Sequence, residues 1–468
     1  MRKVHLIISL LSSLLLVSLN LFQISGLELD FKDLELLIFV LVTLNLVLMS
    51  TYRKDWSSLA YLFNLTFIVF LLSKPFVDLF GYQDALSINS LIISTFSEVK
   101  YNLILTYIAV SYSLINIGLI FLSDRVTFPI YDERIFNLSK RVIIISTPLV
   151  IYKYYLEIIY LINNGYLSLF TGGLRDVNYG NFIIANSHSI FIAGFFLLIA
   201  SNPKLESSKW YLYLFLAVSL LDALKGARGL FVLPLLYYFW YVNAKKDTGI
   251  SRNTKLKIII VGFVLVISSQ LAVDLRMKNS DYKVDIFESI ATFFYQQGNS
   301  LNVVYFSELY RDELNSNNKS IPFVLEPVIF PYLYIYHKNE LSQGQTDEAV
   351  AIRPNLNHRL TYMLNPRYYI NGGGLGSSYI AELAVMNLIY VIIGSLLIPM
   401  GVILLVKGLK YRMVLFLSYY LIAHILFLPR ASLIPNFWVL GKYCMFFLFL
   451  YYLSRFSFVN GKVKFKSH

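Results

Sequence analysis

Apolar runs alternate with short polar segments along most of the chain. Several of these runs reach or exceed about 18 residues, the length that carries a helix across a bilayer. Twelve spans are predicted, at residues 4–26, 34–50, 56–77, 102–122, 142–163, 182–200, 210–224, 229–243, 257–274, 379–406, 413–428 and 436–453. We therefore expect the fold class to be all-α, a polytopic integral membrane protein in which residues 1–468 form a single membrane domain.

Two of the predicted spans, 210–224 and 229–243, are short for complete crossings of a membrane. Only the four residues from Lys225 to Arg228 separate them. A tight helical hairpin or a broken helix fits this spacing better than two ideal spans.

The longest interruption of the apolar pattern is a polar insertion at residues 276–378. It ends in a cationic segment, a glycine-rich turn and two serines, and the apolar run 379–406 follows at once. Backbone N–H groups and hydroxyls at a helix N-terminus suit an anion, and glycines let the backbone approach it closely. The alternative is an ordinary turn that caps a span. The residues expected to contact a lipid phosphate are Gly374, Gly376, Ser377 and Ser378.

Two stretches inside this insertion differ from an ordinary polar loop. Residues 289–307 carry no charge, and their centre at 296–300 is too polar for lipid. We expect that centre to lie on the membrane surface or to line a wet cavity. Residues 321–336 carry three prolines among aromatic side chains, which predicts an interfacial segment that is not one straight helix.

The composition and the distribution of charge also indicate a membrane protein. Hydrophobic residues make up 57% of the chain and charged residues 15%, against roughly a quarter charged in soluble domains. The formal net charge of +12 would suggest nucleic acid as a partner of a soluble protein, but here the cations lie between apolar runs, so we expect no nucleic-acid partner. If the chain crosses the membrane at each of the twelve spans, the short segments on one side hold 22 Lys and Arg residues and those on the other side hold 7. Since cytoplasmic loops carry the excess of cations, both termini are predicted to be cytoplasmic and the insertion to lie outside.

Arginine is the residue suited to gripping a pyrophosphate without a metal ion. Its planar fork binds phosphate oxygens in bidentate fashion, and its charge can stabilise a phosphate leaving group. The arginines predicted on the outer side are Arg175, Arg228, Arg276, Arg359 and Arg430. Each alone could instead contact lipid headgroups, but together with the insertion they predict a cationic substrate site.

Metal and nucleotide sites are not indicated by the sequence. The six histidines have no ligand spacing, and the one cysteine, Cys444, allows neither a disulfide nor a cysteine metal site. The glycine turn lacks the preceding strand and the following lysine of nucleotide-binding motifs. We therefore expect no metal and no cofactor.

Two ionisable residues are candidates for catalysis. His358 could be a general base, because the adjacent cation of Arg359 would tend to keep its imidazole neutral; the alternative is a surface histidine. Glu382 follows Ser378 by one helical turn, and it either pairs with an outer arginine or takes the proton of an acceptor hydroxyl. The pairing is the favoured interpretation, because neighbouring arginines would lower the pKa of Glu382 and make it a weak base.

Four short stretches carry a resemblance to a known family. They are Gln297 to Ser300, the segment from Arg359 to Glu382 with its glycine-serine-glutamate part from Gly374, Pro429-Arg430, and Lys225 to Arg228, the last of which is similar to the arginine turn of related ligases. With about a dozen helices, inside termini and one large outer loop late in the sequence, the chain resembles the bacterial O-antigen polymerases, the Wzy proteins of lipopolysaccharide assembly. The resemblance adds Gln297 to the expected substrate-binding residues.

The resemblance implies glycosyl transfer at the periplasmic face of the bacterial inner membrane. The donor is then a glycan on undecaprenyl pyrophosphate, and the acceptor is a single lipid-linked repeat unit. The expected partners are these lipid-linked oligosaccharides and the bilayer, and a chain-length regulator is left open. Two alternatives are a lipid-linked glycan ligase of the O-antigen ligase type and a lipid-linked oligosaccharide flippase. A flippase should have two similar halves, and no such repeat is evident in this sequence.

The predicted topology can be tested with reporter fusions. Fusions within residues 310–350 should report a periplasmic location, and fusions near Lys246 or after Lys466 a cytoplasmic one, because cations concentrate on the cytoplasmic side. Paired alkaline phosphatase and green fluorescent protein fusions at each position give opposite readouts and control for expression. A cytoplasmic result for 310–350 would overturn the assignment of spans.

Overall fold

The computed structural model describes residues 30–53, 58–81, 97–122, 126–164, 177–223, 225, 229–246, 286–316, 321–342, 344–459 and 462–465, with single positions between 7 and 18. The predicted span at 257–274 lies outside these ranges, and so does most of the span at 4–26. The first seven helices of the described part are α1 (Phe31–Arg53), α2 (Leu59–Leu79), α3 (Glu98–Ile120), α4 (Glu133–Asn164), α5 (Phe182–Ala200), α6 (Leu205–Ala223) and α7 (Gly229–Lys245).

The second half of the described chain has many short helices followed by three long ones. The short helices are α8 (Ile286–Gln297), α9 (Asn299–Leu309), α10 (Arg311–Ser316), α11 (Glu326–Tyr336), α12 (Lys338–Ser342), α13 (Asp347–Ile352), α14 (Leu356–Leu364), α15 (Pro366–Ile370) and α16 (Tyr379–Ala384). The long helices are α17 (Leu388–Gly408), α18 (Arg412–Phe427) and α19 (Phe437–Leu453). Two 3₁₀ turns, Phe323–Leu325 and Leu428–Arg430, precede α11 and follow α18.

The prediction of a polytopic helical membrane protein is confirmed in its coarse form. Among the described residues, six helices are long and apolar enough to cross a membrane. They are Leu59–Leu79, Glu98–Ile120, Glu133–Asn164, Phe182–Ala200, Leu388–Gly408 and Arg412–Arg430. The total of twelve spans stays a prediction. One departure from an all-α fold is a hairpin near the end of the chain, in which β1 (Phe456–Val459) pairs antiparallel with β2 (Lys462–Phe465).

The short pair of predicted spans forms two separate helices that pack against each other. α6 begins five residues before the predicted start of the first run, at Leu205, and α7 ends at Lys245. The described chain therefore favours the helical hairpin over the single broken helix.

The predicted span 379–406 is wrong as one continuous helix. α16 ends at Ala384, and Asn387 begins α17 by accepting the backbone N–H groups of Ile389 and Tyr390 with its side-chain oxygen. Arg311 of α10 donates to the carbonyls at this joint, at 3.1 Å from Val385 O and 2.8 Å from Met386 O. The asparagine N-cap and the arginine satisfy backbone N–H and C=O groups that a helix break leaves without partners, and so they stabilise the break.

The second half of the uncharged stretch 289–307 is buried inside the protein, whereas its predicted polar centre at 296–300 is buried only at Gly298 and Ser300 and is exposed at Asn299. Along α9, the side chains of Leu301, Val303, Val304 and Phe306 are fully buried. α9 packs against α3, against α16 and against the π-helical turn Ile68–Leu72 in the middle of α2. Burial of its apolar side chains anchors the first part of the insertion to the membrane helices.

The neighbouring proline-rich stretch begins as predicted and then continues as a helix. A 3₁₀ turn at Phe323–Leu325 leads into α11, which retains Pro331 in its interior and packs against α19. The prediction that residues 321–336 are not one straight helix is therefore confirmed, and the interfacial location stays a prediction.

Small side chains bring α3, α16 and α17 into close contact. A Cβ atom added to Gly118 of α3 would lie 2.3 Å from Pro399 Cγ of α17, so only glycine fits there. Ser111 of α3 bonds both Tyr379 OH, at 2.5 Å, and Ser395 Oγ, at 2.6 Å. Close backbone approach combined with buried hydroxyl bonds is the usual way in which membrane helices associate, and here it fixes the position of α16.

Candidate functional site

Four segments from distant parts of the sequence meet at one end of the helical bundle. They are the last turn of α2, the turn between α8 and α9, helix α16, and the 3₁₀ turn Leu428–Arg430. The closest approach is at Gly298, where an added Cβ would lie 2.7 Å from Ser73 Oγ and 2.9 Å from Lys74 N. Only glycine leaves room for the turn to pack directly on α2.

Two of the predicted substrate-binding residues contact each other. Arg430 Nη1 donates a hydrogen bond to Gln297 Oε1 at 3.1 Å, across 133 positions of sequence. The guanidinium carbon of Arg430 also lies 5.8 Å from the centre of the Phe70 ring on α2. These contacts hold a cation at the α8–α9 turn.

Glu382 links α16 to the segment that follows Arg430. Its side chain is 2% exposed. Oε1 accepts from Ser377 Oγ at 3.2 Å, and Oε2 accepts from Leu433 N at 3.1 Å, with a further side-chain bond from Ser432. In the described residues its partners are these neutral donors, so the favoured prediction, pairing with an outer arginine, is wrong.

The pKa of Glu382 shifts in the opposite direction from the sequence-based expectation. Burial disfavours the ionised carboxylate and raises the pKa to about 7, although the bonds from Ser432, Leu433 and Ser377 lower it in part. Desolvation outweighs hydrogen bonding because the carboxyl is fully buried. A carboxyl that titrates near neutral pH is suited to proton transfer.

Neither of the two serines before α16 makes a capping hydrogen bond in the described structure. Ser378 holds the N-cap position, but its hydroxyl makes no capping bond and is buried without a hydrogen-bond partner in the described structure. Ser377 bonds Glu382 instead. An unsatisfied buried hydroxyl carries a cost in free energy, and this one lies at the edge of the site.

The glycine turn is docked onto α14 rather than left open. The N–H of Gly376 donates to Asn357 Oδ1 at 2.9 Å, and the N–H of Leu375 donates to Thr361 Oγ1 at 3.1 Å. Gly376 has φ +90°, a conformation that side chains other than glycine rarely adopt. Gly374 lies beside the amide of Asn357. Two N–H groups of the turn are therefore already satisfied within the protein.

His358, on the same helix α14, has both ring nitrogens engaged. Nε2 lies 3.2 Å from Arg353 Nη1, and Nδ1 lies 2.6 Å from Tyr369 OH. Because a guanidinium can only donate, Nε2 is the acceptor and Nδ1 carries the proton. Burial first, and then the charge of Arg353, lowers the pKa of His358 to about 3. The imidazole is neutral as a base must be, but Arg353 rather than Arg359 is the cation beside it, and its lone pair is occupied.

Of the remaining predicted arginines, the structure describes Arg359. Arg359 is on α14, where Nε donates to Arg353 O at 3.4 Å and the guanidinium lies 6.0 Å from the Phe323 ring centre. Arg175, Arg228 and Arg276 lie outside the described residues.

Lys225, the last described residue before Arg228, forms ion pairs with two helices. Lys225 pairs with Glu157 of α4 at 2.9 Å and with Asp222 of α6. Glu157 also accepts from Tyr179 OH at 2.8 Å and lies 3.8 Å from Lys153. This network joins the ends of α4 and α6 at the start of the segment that contains Arg228.

Lys74 is a residue of this site that the sequence analysis did not single out. In the charge count it is one of the 7 cations on the side predicted to be outside. The structure buries it against the α8–α9 turn. A signal was present in the sequence: a lone lysine followed by Pro75 at the end of an apolar run. In the part of the chain that the structure describes, no group of three His, Cys, Asp or Glu residues could hold a metal ion.

Comparison with known families decides what kind of protein this site belongs to. The model of the family described as O-antigen polysaccharide polymerase Wzy matches residues 4–460. The chain belongs to this family. No curated protein and no solved structure matches the chain. Membership confirms the resemblance drawn from the Gln297, Gly374 and Arg430 segments, and it gives this transmembrane protein a polymerase role in polysaccharide biosynthesis.

The buried carboxyl of Glu382 makes a testable contribution to pH-dependent stability. Because its pKa rises from 4.5 to about 7 on folding, the contribution is complete below pH 4.5 and is lost as the pH rises through 7. Glu382→Gln mimics the protonated acid, so the variant should become more stable than the wild type above pH 7, by on the order of 3 kcal/mol at most. Thermal unfolding in detergent from pH 5.5 to 8.5 measures this difference.

Glu348→Gln, at an exposed carboxylate on α13, is the matched control for this experiment. The wild type and the Glu382→Gln variant both contain His358, so the effect of its titration on stability cancels when the two are compared. Parallel pH profiles for wild type and Glu382→Gln would show that burial does not hold this carboxyl in its protonated form.

Proposed function

We propose that this Wzy-family chain joins oligosaccharide repeat units carried on undecaprenyl pyrophosphate, at the periplasmic face of the bacterial inner membrane. Family membership supports the polymerase role. The observation that carries the finer assignment is the convergence of Arg430, Gln297 and the buried Glu382 at one end of the bundle. Glycosyl transfer from a pyrophosphate donor requires two groups: a cation and a carboxyl that titrates near neutrality.

The proposed reaction is a substitution at the anomeric carbon of the donor glycan. A hydroxyl oxygen of the acceptor unit forms the new glycosidic bond, and the bond from the anomeric carbon to the pyrophosphate oxygen breaks. Undecaprenyl pyrophosphate leaves with the electron pair, and the hydroxyl proton passes to a base. The protein therefore has to stabilise negative charge on one side of the sugar and accept a proton on the other.

Arg430 is the residue proposed to stabilise the leaving pyrophosphate. A guanidinium keeps its charge at any physiological pH and offers two parallel donors to phosphate oxygens. Gln297 orients it by accepting from one Nη atom. Arg359, and the arginines 175, 228 and 276, are proposed as further contacts with the lipid-linked substrates.

Glu382 is the residue proposed to accept the proton. With a pKa of about 7, a substantial fraction of the carboxyl is ionised at neutral pH, and the ionised form is a better base than an ordinary surface carboxylate. Bonds from Ser377 and Leu433 fix its orientation. His358 is the weaker candidate because the single lone pair of its imidazole already accepts from Arg353, whereas each oxygen of a carboxylate has a second lone pair. We assign His358 to positioning α14 beneath the glycine turn.

The length profile of the surface glycan in a deletion strain tests the function directly. Loss of a polymerase should leave lipopolysaccharide capped with a single repeat unit. A strain with no glycan on its lipopolysaccharide would indicate a ligase, and loss of outward-facing lipid-linked intermediates would indicate a flippase. Complementation with the wild-type chain is the control.

Substitution of Arg430 tests the proposed pyrophosphate contact. Arg430→Ala should reduce polymerisation by roughly ten- to hundred-fold, the value of about 1.5–3 kcal/mol for a charge-assisted hydrogen bond. Arg430→Lys should recover only part of the activity, because a point charge lacks the bidentate fork. Product formation from purified lipid-linked units is the measurement. Arg367→Ala, at an exposed arginine of α15, is the matched control, and equal activity of all the variants would reduce Arg430 to a lipid anchor.

The proposed chemistry uses protein cations in place of a divalent metal. Purified enzyme should therefore polymerise lipid-linked units at an undiminished rate in excess EDTA, because arginine supplies the charge that neutralises the pyrophosphate. The rate with and without chelator is measured on the same preparation. Activity that EDTA abolishes and magnesium or manganese restores would contradict the proposal.

A further inference from the structure

Lys74 is a buried cation at the outer end of α2. Its side chain is 1% exposed. It follows directly on the π-helical turn Ile68–Leu72 and Ser73. Single π-helical turns within α-helices are frequent at functional sites, because they re-aim the residues that follow.

Among the described residues, the ammonium group of Lys74 has only neutral partners. Nζ donates to Asn302 Oδ1 at 3.1 Å and lies 4.3 Å from the centre of the Tyr295 ring. None of the ion pairs in the described part of the chain includes Lys74. By contrast, Lys100 lies 3.1 Å from Glu308. A buried charge without an opposite charge is strongly unfavourable, so Lys74 stands in a site that lacks an anion.

Lys74 and Arg430 lie against neighbouring residues of the same turn. Lys74 packs on Gly298, where an added Cβ would lie 2.7 Å from Lys74 Cγ. Arg430 bonds the preceding residue, Gln297. The same backbone turn therefore contacts two cations, and an anion bound beside them would reduce their mutual repulsion.

Two buried hydroxyl groups on the adjoining helices also have no partner. Ser300 Oγ, in the first turn of α9, and Ser378 Oγ, before α16, are both buried and make no hydrogen bond in the described structure. α9 and α16 pack against each other, and Asn302, the partner of Lys74, is two residues beyond Ser300. Buried hydroxyls normally find partners, so these are donors available to a ligand.

We propose that Lys74 binds the pyrophosphate group of the lipid-linked substrate together with Arg430, and that Ser300 and Ser378 donate to its oxygens. This assignment rests on the proposed function. A pyrophosphate diester carries two negative charges, which Lys74 and Arg430 balance. The compact ammonium of lysine fits a closed position that a guanidinium fork would not. The second cation makes the site selective for pyrophosphate over monophosphate.

Binding of geranylgeranyl pyrophosphate and geranylgeranyl monophosphate to the purified chain tests this assignment. Lys74→Met should weaken pyrophosphate binding by roughly ten- to hundred-fold and monophosphate binding by less. Without ligand the variant should be as stable as the wild type or more so, because an apolar side chain of similar volume replaces an uncompensated charge. Affinities come from calorimetry in detergent, and stability comes from thermal unfolding.

Two further variants separate binding from folding. Lys74→Met/Asn302→Leu removes the carbonyl oxygen that loses its donor in the single variant, and it should show the same loss of pyrophosphate binding. Lys100→Met is the matched control: it should lower stability, because it strips Glu308 of a partner, and leave pyrophosphate affinity unchanged.

The outcomes distinguish this assignment from the proposed function. Wild-type pyrophosphate affinity in Lys74→Met, or misfolding of both Lys74 variants, would overturn the role of Lys74 even if the deletion strain has lost its polymer. A deletion strain that keeps its full range of glycan lengths would overturn the proposed function itself.

Discussion

The arrangement of the site depends on the direct contact between the α8–α9 turn and helix α2. This contact exists because residue 298 has no side chain. With the turn seated there, Gln297 reaches Arg430 and Asn302 reaches Lys74. The apolar side chains of α9 then bury themselves against α3 and α16. A single close backbone approach thereby joins the polar insertion to the membrane helices.

Several polar groups at this end of the bundle are held in conditions that do not favour folding. Among the residues that the structure describes, Glu382 and Lys74 are both buried without an opposite charge, and the hydroxyls of Ser300 and Ser378 are unsatisfied. Elsewhere in the described chain, buried charges have partners, as Glu157 has Lys225 and Glu326 has Arg353. Buried ionisable groups without an opposite charge are typical of functional sites, where stability is lower than packing alone would allow.

Much of the fold followed from the apolar pattern, because lengths of about 18 residues have a direct physical meaning in a bilayer. The pattern did not show that α9 is a buried helix, because polar neighbours dilute its apolar side chains, and it overlooked the break at Asn387 inside an apolar run. The site was predictable only in part. Arg430 and Glu382 stood out as residue types and Gln297 through the family resemblance, but their contacts span long sequence distances that no local signal records. The pKa of Glu382 was predicted with the wrong sign because sequence shows nearby arginines but not burial.

The break between α16 and α17 also sets the height of the site relative to the membrane. α17 has 21 residues, and at 1.5 Å per residue it is about 31 Å long, which matches a hydrocarbon layer of about 30 Å. A continuous helix over 379–406 would be about 42 Å long by the same rise and would have to tilt or thicken the bilayer. With α17 alone filling the hydrocarbon, Glu382 comes to the depth of the headgroups. That is also the depth at which the phosphates of a polyprenyl lipid reside.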